Sequence, residues 1–490
     1  MMWRSTGQLL TYTRILFHTK RSCTGTQIKN LSVKPFREMP GPSSLANMIK
    51  YSGRSMDNFH RDIVDGFDKY GPLYKFILPG FKMVLTCDPK HIEHVFRNED
   101  NPAMRGIDSS FAKYFASKGM KEGISGEDES WYTHRSTTAP NMLQPHRNQG
   151  YLPGLSEIAD DSVASLKEGR NSNLLPFLQL WATESIFYVM FGHRTGTNFK
   201  TPDKKYLEFT EAVYGAFESE AKLAIGFPLH RYIKTPELRN FYRALDVISK
   251  FTLDFMEKIK NSPSSLPAGY ECLFEKFKRE EKLTDDEIIQ VAITLLAGGV
   301  DTSATMLVST LFMLSKSQRA QEKLFEEINS VLPNGQTPNY DSLNKLPFLK
   351  ATINEVFRTS PVTVGTTRQL SKPIVLGGYE IPAGMIITLS TGFKSTQMET
   401  QTYGDVENFR PERWLRGNKD FHPFAVLPFG FGPRMCVGRR IAVMELSLFL
   451  VRFLQKYKVE ENNLPEDQLG WHFGIVQRPD RPCNLYLSAR

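Results

Sequence analysis

The 490-residue sequence predicts a mainly α fold with a small β region. Two observations carry that expectation. Apolar segments with helical character recur along most of the chain, the longest from Thr284 to Leu314. Strand signals concentrate in two places, Leu73–Ile77 with Lys82–Thr86 around Pro79-Gly80, and Ser371–Ile387 around Gly377-Gly378. No internal repeat or low-complexity linker divides the chain, so length alone does not argue for several domains. The 34 Phe and 18 Tyr are enough for a large buried core.

In chain order, Gly53–Lys69 is amphipathic and ends at a Gly71-Pro72 turn. The first strand pair follows, then a short helix at Pro89–Arg97. Asn101–Glu129 has mixed composition with many Gly and Ser, which suits a loop covering a pocket. Leu174–Met190 reads as an apolar helix, and Lys205–Glu220 and Leu238–Ile259 as helices flanking Gly226-Phe227-Pro228. Thr284–Asp286 supplies capping residues for the long helix. Ser317–Val331 and Pro347–Thr359 are further helices, and Ser371–Ile387 a hairpin. A last helix is expected over Arg439–Tyr457. No apolar run reaches the roughly 18–20 residues of a membrane span.

The first 37 residues hold seven Lys/Arg, nine Ser/Thr and no acid. That composition is what a mitochondrial transit peptide looks like, so residues 1–38 are expected to be one. The whole chain carries +8, and without those seven cations only about +1. The high pI therefore gives no reason to expect nucleic-acid binding. Five cysteines, an odd number without CxxC or Cys/His spacing, argue against a disulfide framework and against zinc.

One cysteine stands apart. Cys436 lies in Phe429-Gly430-Phe431-Gly432-Pro433-Arg434-Met435-Cys436-Val437-Gly438, just before an apolar helix. Glycines permit tight backbone approach, and the N-terminus of the next helix points positive charge and N–H donors at the sulfur. Both are expected to depress the thiol pKa and hold a thiolate. The segment resembles the haem-ligand loop of the cytochrome P-450 family, Phe-x-x-Gly-x-Arg-x-Cys-x-Gly, with Phe429, Gly432, Arg434, Cys436 and Gly438 in every fixed position. The order of elements from residue 39 to the C-terminus is also similar to that fold. The resemblance implies a haem-thiolate monooxygenase domain over residues 39–490, with haem b as cofactor and Cys436 as the axial iron ligand.

Four further groups carry the resemblance. Ala297-Gly298-Gly299-Val300-Asp301-Thr302 sits inside the long helix, where each glycine costs about 1 kcal/mol of helix propensity. Close approach to the haem face and a locally distorted ladder would justify them. The resemblance gives Thr302 a hydrogen bond to dioxygen and Asp301 the entry of protons. Glu355 and Arg358 share a helix face, and with Arg413 of Pro411-Glu412-Arg413-Trp414 they are expected to brace the cysteine loop. Trp414 stands where the family has Phe. Trp131 and Arg135 are one turn apart and, with Arg434 and Arg368, match positions that bind the haem propionates. Phe429 completes the expected cofactor contacts.

Lys350, Arg439 and Arg440 are expected to form a basic patch for an adrenodoxin-type ferredoxin. Asn354 stands where the mitochondrial branch has a second lysine. Phe111, Tyr114, Phe115, Leu295, Val300, Val362–Thr366 and Phe473–Val476 are expected to face a small apolar substrate, sterol- or steroid-like, or a xenobiotic. Peripheral association with the matrix side of the mitochondrial inner membrane is part of the same expectation. An O2-independent haem-thiolate isomerase or lyase, and a non-catalytic haem-binding sensor, stay open as other classes.

Overall fold

The computed structural model describes residues 33–490 except 52–58, 79, 108, 225–229, 231–232, 393–407, 418–421 and 473. Most of the expected leader, Cys23, Gly226-Phe227-Pro228 and Phe473 lie outside the described residues.

The chain is mainly helical, as expected. The Asp285–Lys316 helix runs through the centre and packs along Leu174–Phe191. It starts at a capping box, with the Thr284 hydroxyl accepting from Glu287 N and the Glu287 carboxylate accepting from Thr284 N. Three acids in its first turn add favourable charge at the positive helix end. Both helices are long and apolar enough to cross a membrane by composition, but they are mostly buried in the protein. The expectation that no segment reaches that length is corrected, and burial explains their apolarity.

A second layer forms around this pair. Lys204–Ala224 and Pro236–Ile259 pack against each other, and both touch the central helix. The Phe187 ring meets Phe191, Phe209, Phe251 and Phe255 at centroid distances of 5.0–5.8 Å. Burying a ring contributes about 1.5–3 kcal/mol, so this cluster is a major part of the core. On the opposite side, Arg439–Lys456 packs on Leu152–Ser165 and Glu129–Leu143. Of these two, the sequence reading placed only Trp131 and Arg135 on a helix face and assigned nothing over Leu152–Ser165; Pro140 lies inside Glu129–Leu143.

The β region lies to one side. Its main sheet runs Leu73–Leu78, Phe81–Thr86, Ile386–Leu389, Thr366–Gln369, with the middle pair parallel and the outer pairs antiparallel. The expected second hairpin is shorter than predicted, Ile374–Leu376 with Tyr379–Ile381. Its turn residues Gly377 and Gly378 have φ of +53° and +81°, as a two-residue turn between twisted strands requires. Residues 386 and 387 belong to the main sheet instead. The expected covering loop also holds a helix, Ser110–Ser117, capped by Ser109.

The central helix and the helix after the cysteine loop meet at one polar contact. Ser303 Oγ donates to Glu445 Oε1 at 2.5 Å, and both side chains are buried. Burial pushes the Glu445 carboxyl from its ordinary 4.5 up to about 8, against a smaller lowering by Ser303. The folded state therefore holds this proton more tightly than the unfolded chain does. Its contribution to stability is full below about pH 4.5 and is lost as the pH rises towards about 8. Glu445→Gln keeps a neutral hydrogen-bonding group, so it is expected to flatten this part of the stability–pH curve. Urea unfolding of the wild type and variant on either side of that window reads the difference.

Candidate active site

The Cys436 loop closes on itself, with Cys436 N donating to Phe429 O at 2.8 Å. Gly430 and Gly432 take φ of +68° and +76°, which favours glycine at both. Gly432 has a second reason. A Cβ there would lie 1.9 Å from Glu99 Oε1, so the glycine makes room for that carboxylate. Glu99 in turn accepts from Arg368 Nε at 2.5 Å. The Phe429 ring meets Phe357 edge-on at 5.1 Å, tying the loop to the Pro347–Thr359 helix.

The Cys436 side chain is open to a water-sized probe yet surrounded by protein, as for a residue lining an interior cleft. Burial pushes its thiol up from the ordinary value. Backbone N–H groups of Gly438 and Arg439 and the charges of Arg135 and Arg105 pull it down, but less strongly. The expected net depression by the polypeptide is thus corrected. The donors are present, and desolvation outweighs them. A coordinated metal cation deprotonates a thiol outright and does not need the polypeptide to do so alone.

Guanidinium groups crowd this cleft. Arg434 lies 3.7 Å over the Trp131 ring, with Nε donating to Ala103 O at 2.8 Å and Nη1 to Gly126 O at 2.7 Å. Its Nη2 is buried with no hydrogen-bond partner among the described residues. Arg135 Nη2 donates to Met435 O at 2.7 Å, so the Glu129–Leu143 helix grips the residue next to the cysteine. Arg368 is buried on its strand and donates to Glu99, to Thr367 O at 2.8 Å and to Phe431 O at 3.0 Å. Arg105 was not a sequence candidate. Burial, Arg105, Arg368 and Arg135 push Arg434 down to about 9, with Glu127 opposing. Four like charges around one thiol, with an unpartnered guanidinium nitrogen, form a donor set short of negative charge. It fits a cofactor that carries carboxylates and takes a sulfur ligand.

The central helix carries the remaining candidates. It runs unbroken through Gly298-Gly299, so the expected local distortion is absent. Thr302 Oγ1 donates to Gly298 O at 2.8 Å, so that carbonyl is not freed. A Cβ on Gly298 would meet nothing within 4 Å, whereas one on Gly299 would sit 3.0 Å from Ile186 Cγ1. Gly299 is therefore explained by close helix packing, and only Gly298 faces open space. Asp301 is fully buried and ion-paired with Arg478, while Gln179 Nε2 donates to its Oδ1 at 2.5 Å. Arg478 also lies 3.9 Å over the Tyr214 ring.

Glu355 organises the scaffold below. Arg358 donates to it through Nε at 2.9 Å and Nη2 at 2.8 Å, and Arg413 Nε donates at 3.0 Å. Arg410 N at 2.8 Å and Trp414 Nε1 at 2.8 Å complete the set. Arg358 and Arg413 also reach Asn408 O, at 3.1 and 3.2 Å. The expected three-residue brace is assembled, and the Trp at position 414 adds a donor that Phe lacks.

The family described as Cytochrome P450 matches residues 39–483. The chain belongs to the cytochrome P450 family. It is accordingly a haem b protein and a monooxygenase. It is 30% identical to the mitochondrial 1,25-dihydroxyvitamin D(3) 24-hydroxylase of Rattus norvegicus, over 92% of this chain and 89% of the relative. It is 28% identical to the mitochondrial cholesterol side-chain cleavage enzyme of Homo sapiens, over 94% and 91% of the two chains. A probable mitochondrial cytochrome P450 of Drosophila melanogaster is 29% identical over 94% and 92%.

The remaining candidates of this cytochrome P450 divide. Arg439 and Arg440 are exposed in the first turn of their helix, and Lys350 is exposed with Nζ donating to Asn344 Oδ1 at 3.2 Å. Phe111, Tyr114 and Phe115 join the hydrophobic core, and the Tyr114 hydroxyl donates to Asp246 Oδ1 at 2.8 Å. Leu295, Val300 and Val476 are buried. A cavity of about 410 Å³ lies elsewhere, between Phe81, Ile107, Leu223, Gln369, Met385 and Ile386. None of the core candidates named above lines it.

Sequence reading missed Glu99, Arg105, Gln179 and Arg478. Gln179 left a trace, as a polar residue inside an apolar helix. The others have no local signal.

Glu355→Ala is expected to cost about 3–5 kcal/mol, because it leaves two buried guanidiniums without their carboxylate. Trp414→Phe removes one bond to a charged acceptor and is expected to cost about 1.5–3 kcal/mol. Urea midpoints of the two purified variants check the order.

Proposed function

We propose that this cytochrome P450 inserts one atom of O2 into a C–H bond of an apolar, sterol- or steroid-like lipid, with electrons from an adrenodoxin-type ferredoxin. The observation that carries the site assignment is the Cys436 loop, with Arg135 donating to Met435 O, Arg368 donating to Phe431 O, and the Nη2 of Arg434 buried without a partner among the described residues. When bound, haem would supply dioxygen binding and O–O cleavage, with Cys436 as the residue that would give it a thiolate ligand.

The chain's own residues do the rest. Cys436 Sγ would ligate the metal, and the closed loop from Phe429 to Gly438 keeps the sulfur in place. Phe429 packs beside it. Arg434, Trp131, Arg135 and Arg368 would hold the propionates. Thr302 Oγ1 would turn from Gly298 O to donate a hydrogen bond into the site. Asp301 passes protons inward, and its carboxylate must loosen from Arg478 to do so. Glu355, Arg358, Arg413 and Trp414 keep the loop rigid and carry no proton.

Residues 39–490 form the catalytic domain and 1–38 the transit peptide, a reading supported by the acid-free composition of the leader and by the mitochondrial relatives. The enzyme works at the matrix side of the inner membrane. Exposed Leu45, Met48 and Ile49 on the Ser44–Tyr51 helix support peripheral contact with that membrane.

Oxygen incorporation from 18O2 into a sterol panel, with ferredoxin and its reductase, tests the activity. Cys436→Ser is expected to abolish it and to replace the thiolate-type Soret band of the reduced CO adduct. Retention of that band in the variant would refute the ligand assignment. Arg439→Glu with Arg440→Glu is expected to raise the KM for ferredoxin and weaken its salt dependence, with substrate binding unchanged. Steady-state kinetics across ionic strength read this.

A further inference from the structure

We propose that Glu99 is a positioning residue for the cofactor, acting through Arg368 to seat the cysteine loop and to place an enclosed negative charge beside it. The inference rests on the haem-thiolate reading above and goes beyond it, to a residue that no motif in the sequence marks.

Glu99 follows the Pro89–Arg97 helix, and its segment is fixed on both sides. Before it, the Phe96 ring meets Phe431 at 5.6 Å and Phe424 at 6.1 Å, so the helix end packs against the cysteine loop. After it, Asp100 accepts from Ser371 N at 2.7 Å and from Ser371 Oγ at 2.6 Å. Ser371 lies two residues beyond the Thr366–Gln369 strand that carries Arg368. Glu99 is thus held between that strand and the loop, with only 8% of its side chain exposed.

Its two oxygens divide between these neighbours. Oε2 accepts from Arg368 Nε at 2.5 Å. Oε1 fills the space that a side chain at Gly432 would need, four residues before the thiol. The guanidinium of Arg368 is then almost fully spent. It lies 4.8 Å over the Phe96 ring. Nη1 donates to Thr367 O at 2.8 Å and to Thr366 Oγ1 at 3.4 Å, and Nη2 donates to Phe431 O at 3.0 Å. Of the five N–H groups of an arginine, one on Nη2 is left without a partner among the described residues. Because the fork is planar and rigid, holding Nε fixes where that last N–H points. Glu99 therefore aims the donor that a cofactor carboxylate would meet.

Glu99 also sets the local charge. Arg368 is buried, and a buried cation that loses its carboxylate is strongly destabilised. Burial pushes the Glu99 carboxyl up from its ordinary value, while Arg368 and Arg434 pull it down less strongly. The acid and these two cations hold one another in place beside the loop.

The test uses purified holoenzyme carrying Glu99→Gln, Glu99→Asp, Arg368→Gln, or Glu99→Gln together with Arg368→Gln. Glutamine keeps the shape and removes the charge, whereas aspartate keeps the charge. The haem reduction potential is expected to move positive in Glu99→Gln, raising the ferrous-to-ferric ratio at fixed potential about tenfold. Glu99→Asp is expected to stay close to the wild-type potential. The thiolate-type band of the reduced CO adduct is expected to decay about tenfold faster on warming in Glu99→Gln, because Arg368 is left unpaired. Adding Glu99→Gln to Arg368→Gln is expected to change that decay little, since the two residues act as a unit. An unchanged potential in Glu99→Gln would overturn the proposal. So would an equal shift in Glu99→Asp, or equal acceleration of the decay with and without Arg368. If Glu99→Gln alone does not fold, the double variant lacks the unpaired cation and is expected to fold, with a potential positive of Arg368→Gln. Failure of the double variant where Arg368→Gln folds would overturn the proposal too. Absence of a thiolate-type band in the wild type would instead sink the haem-thiolate reading itself.

Discussion

Glu355 places one negative charge where the Pro347–Thr359 helix meets the Asn408–Trp414 segment, and both Arg358 and Arg413 close on it. None of the three side chains is appreciably exposed. A buried ion pair adds little stability over a well-packed apolar alternative, but losing one partner is severe. What the arrangement supplies is position. Arg410 N and Trp414 Nε1 bond to the same carboxylate, so the backbone leading towards the cysteine loop is held at several points. Phe357, on the same helix, then holds Phe429 at the start of that loop.

From this platform the electrostatics of the site follow. Arg434, Arg135 and Arg368 each spend donors on loop or neighbouring carbonyls, which fixes their charged ends around Cys436. Their mutual repulsion and burial leave Arg434 easier to deprotonate than a free arginine. The same desolvation raises the thiol of Cys436. Cations and sulfur are thus individually unfavourable, and together they favour a group that brings carboxylates and a metal. The central helix is governed differently. Asp301 is ion-paired with Arg478 and accepts a hydrogen bond from Gln179, and the helix carrying it is continuous.

Much of this was legible in the chain. The long capped helix, the Pro347–Thr359 helix and the strand pair at Leu73–Thr86 appear close to where periodicity and turn residues put them. The cysteine loop, Glu355 with Arg358 and Arg413, and Trp131 near Arg434 are assembled as motif spacing implied. Only the Trp131–Arg135 turn of Glu129–Leu143 was read as helix, because Pro140 interrupts the pattern beyond it, and Ser110–Ser117 escaped because it is short and set among Gly and Ser. The two glycines of the central helix were assigned one common reason, yet their neighbours differ completely.

By itself the sequence determined the fold class and the family and singled out Cys436 as the candidate ligand, because these rest on periodicity and on side chains at fixed short spacings. Only the tertiary structure decided which side chains from distant segments share a space. Glu99 against Gly432, Arg478 on Asp301 and Arg105 near Cys436 join residues separated by well over a hundred positions. Their meeting depends on how helices and strands stack, and local spacing carries no record of that. It also decided the direction of the thiol pKa. Helix N–H groups can be read from one dimension, whereas the burial that outweighs them exists only in three.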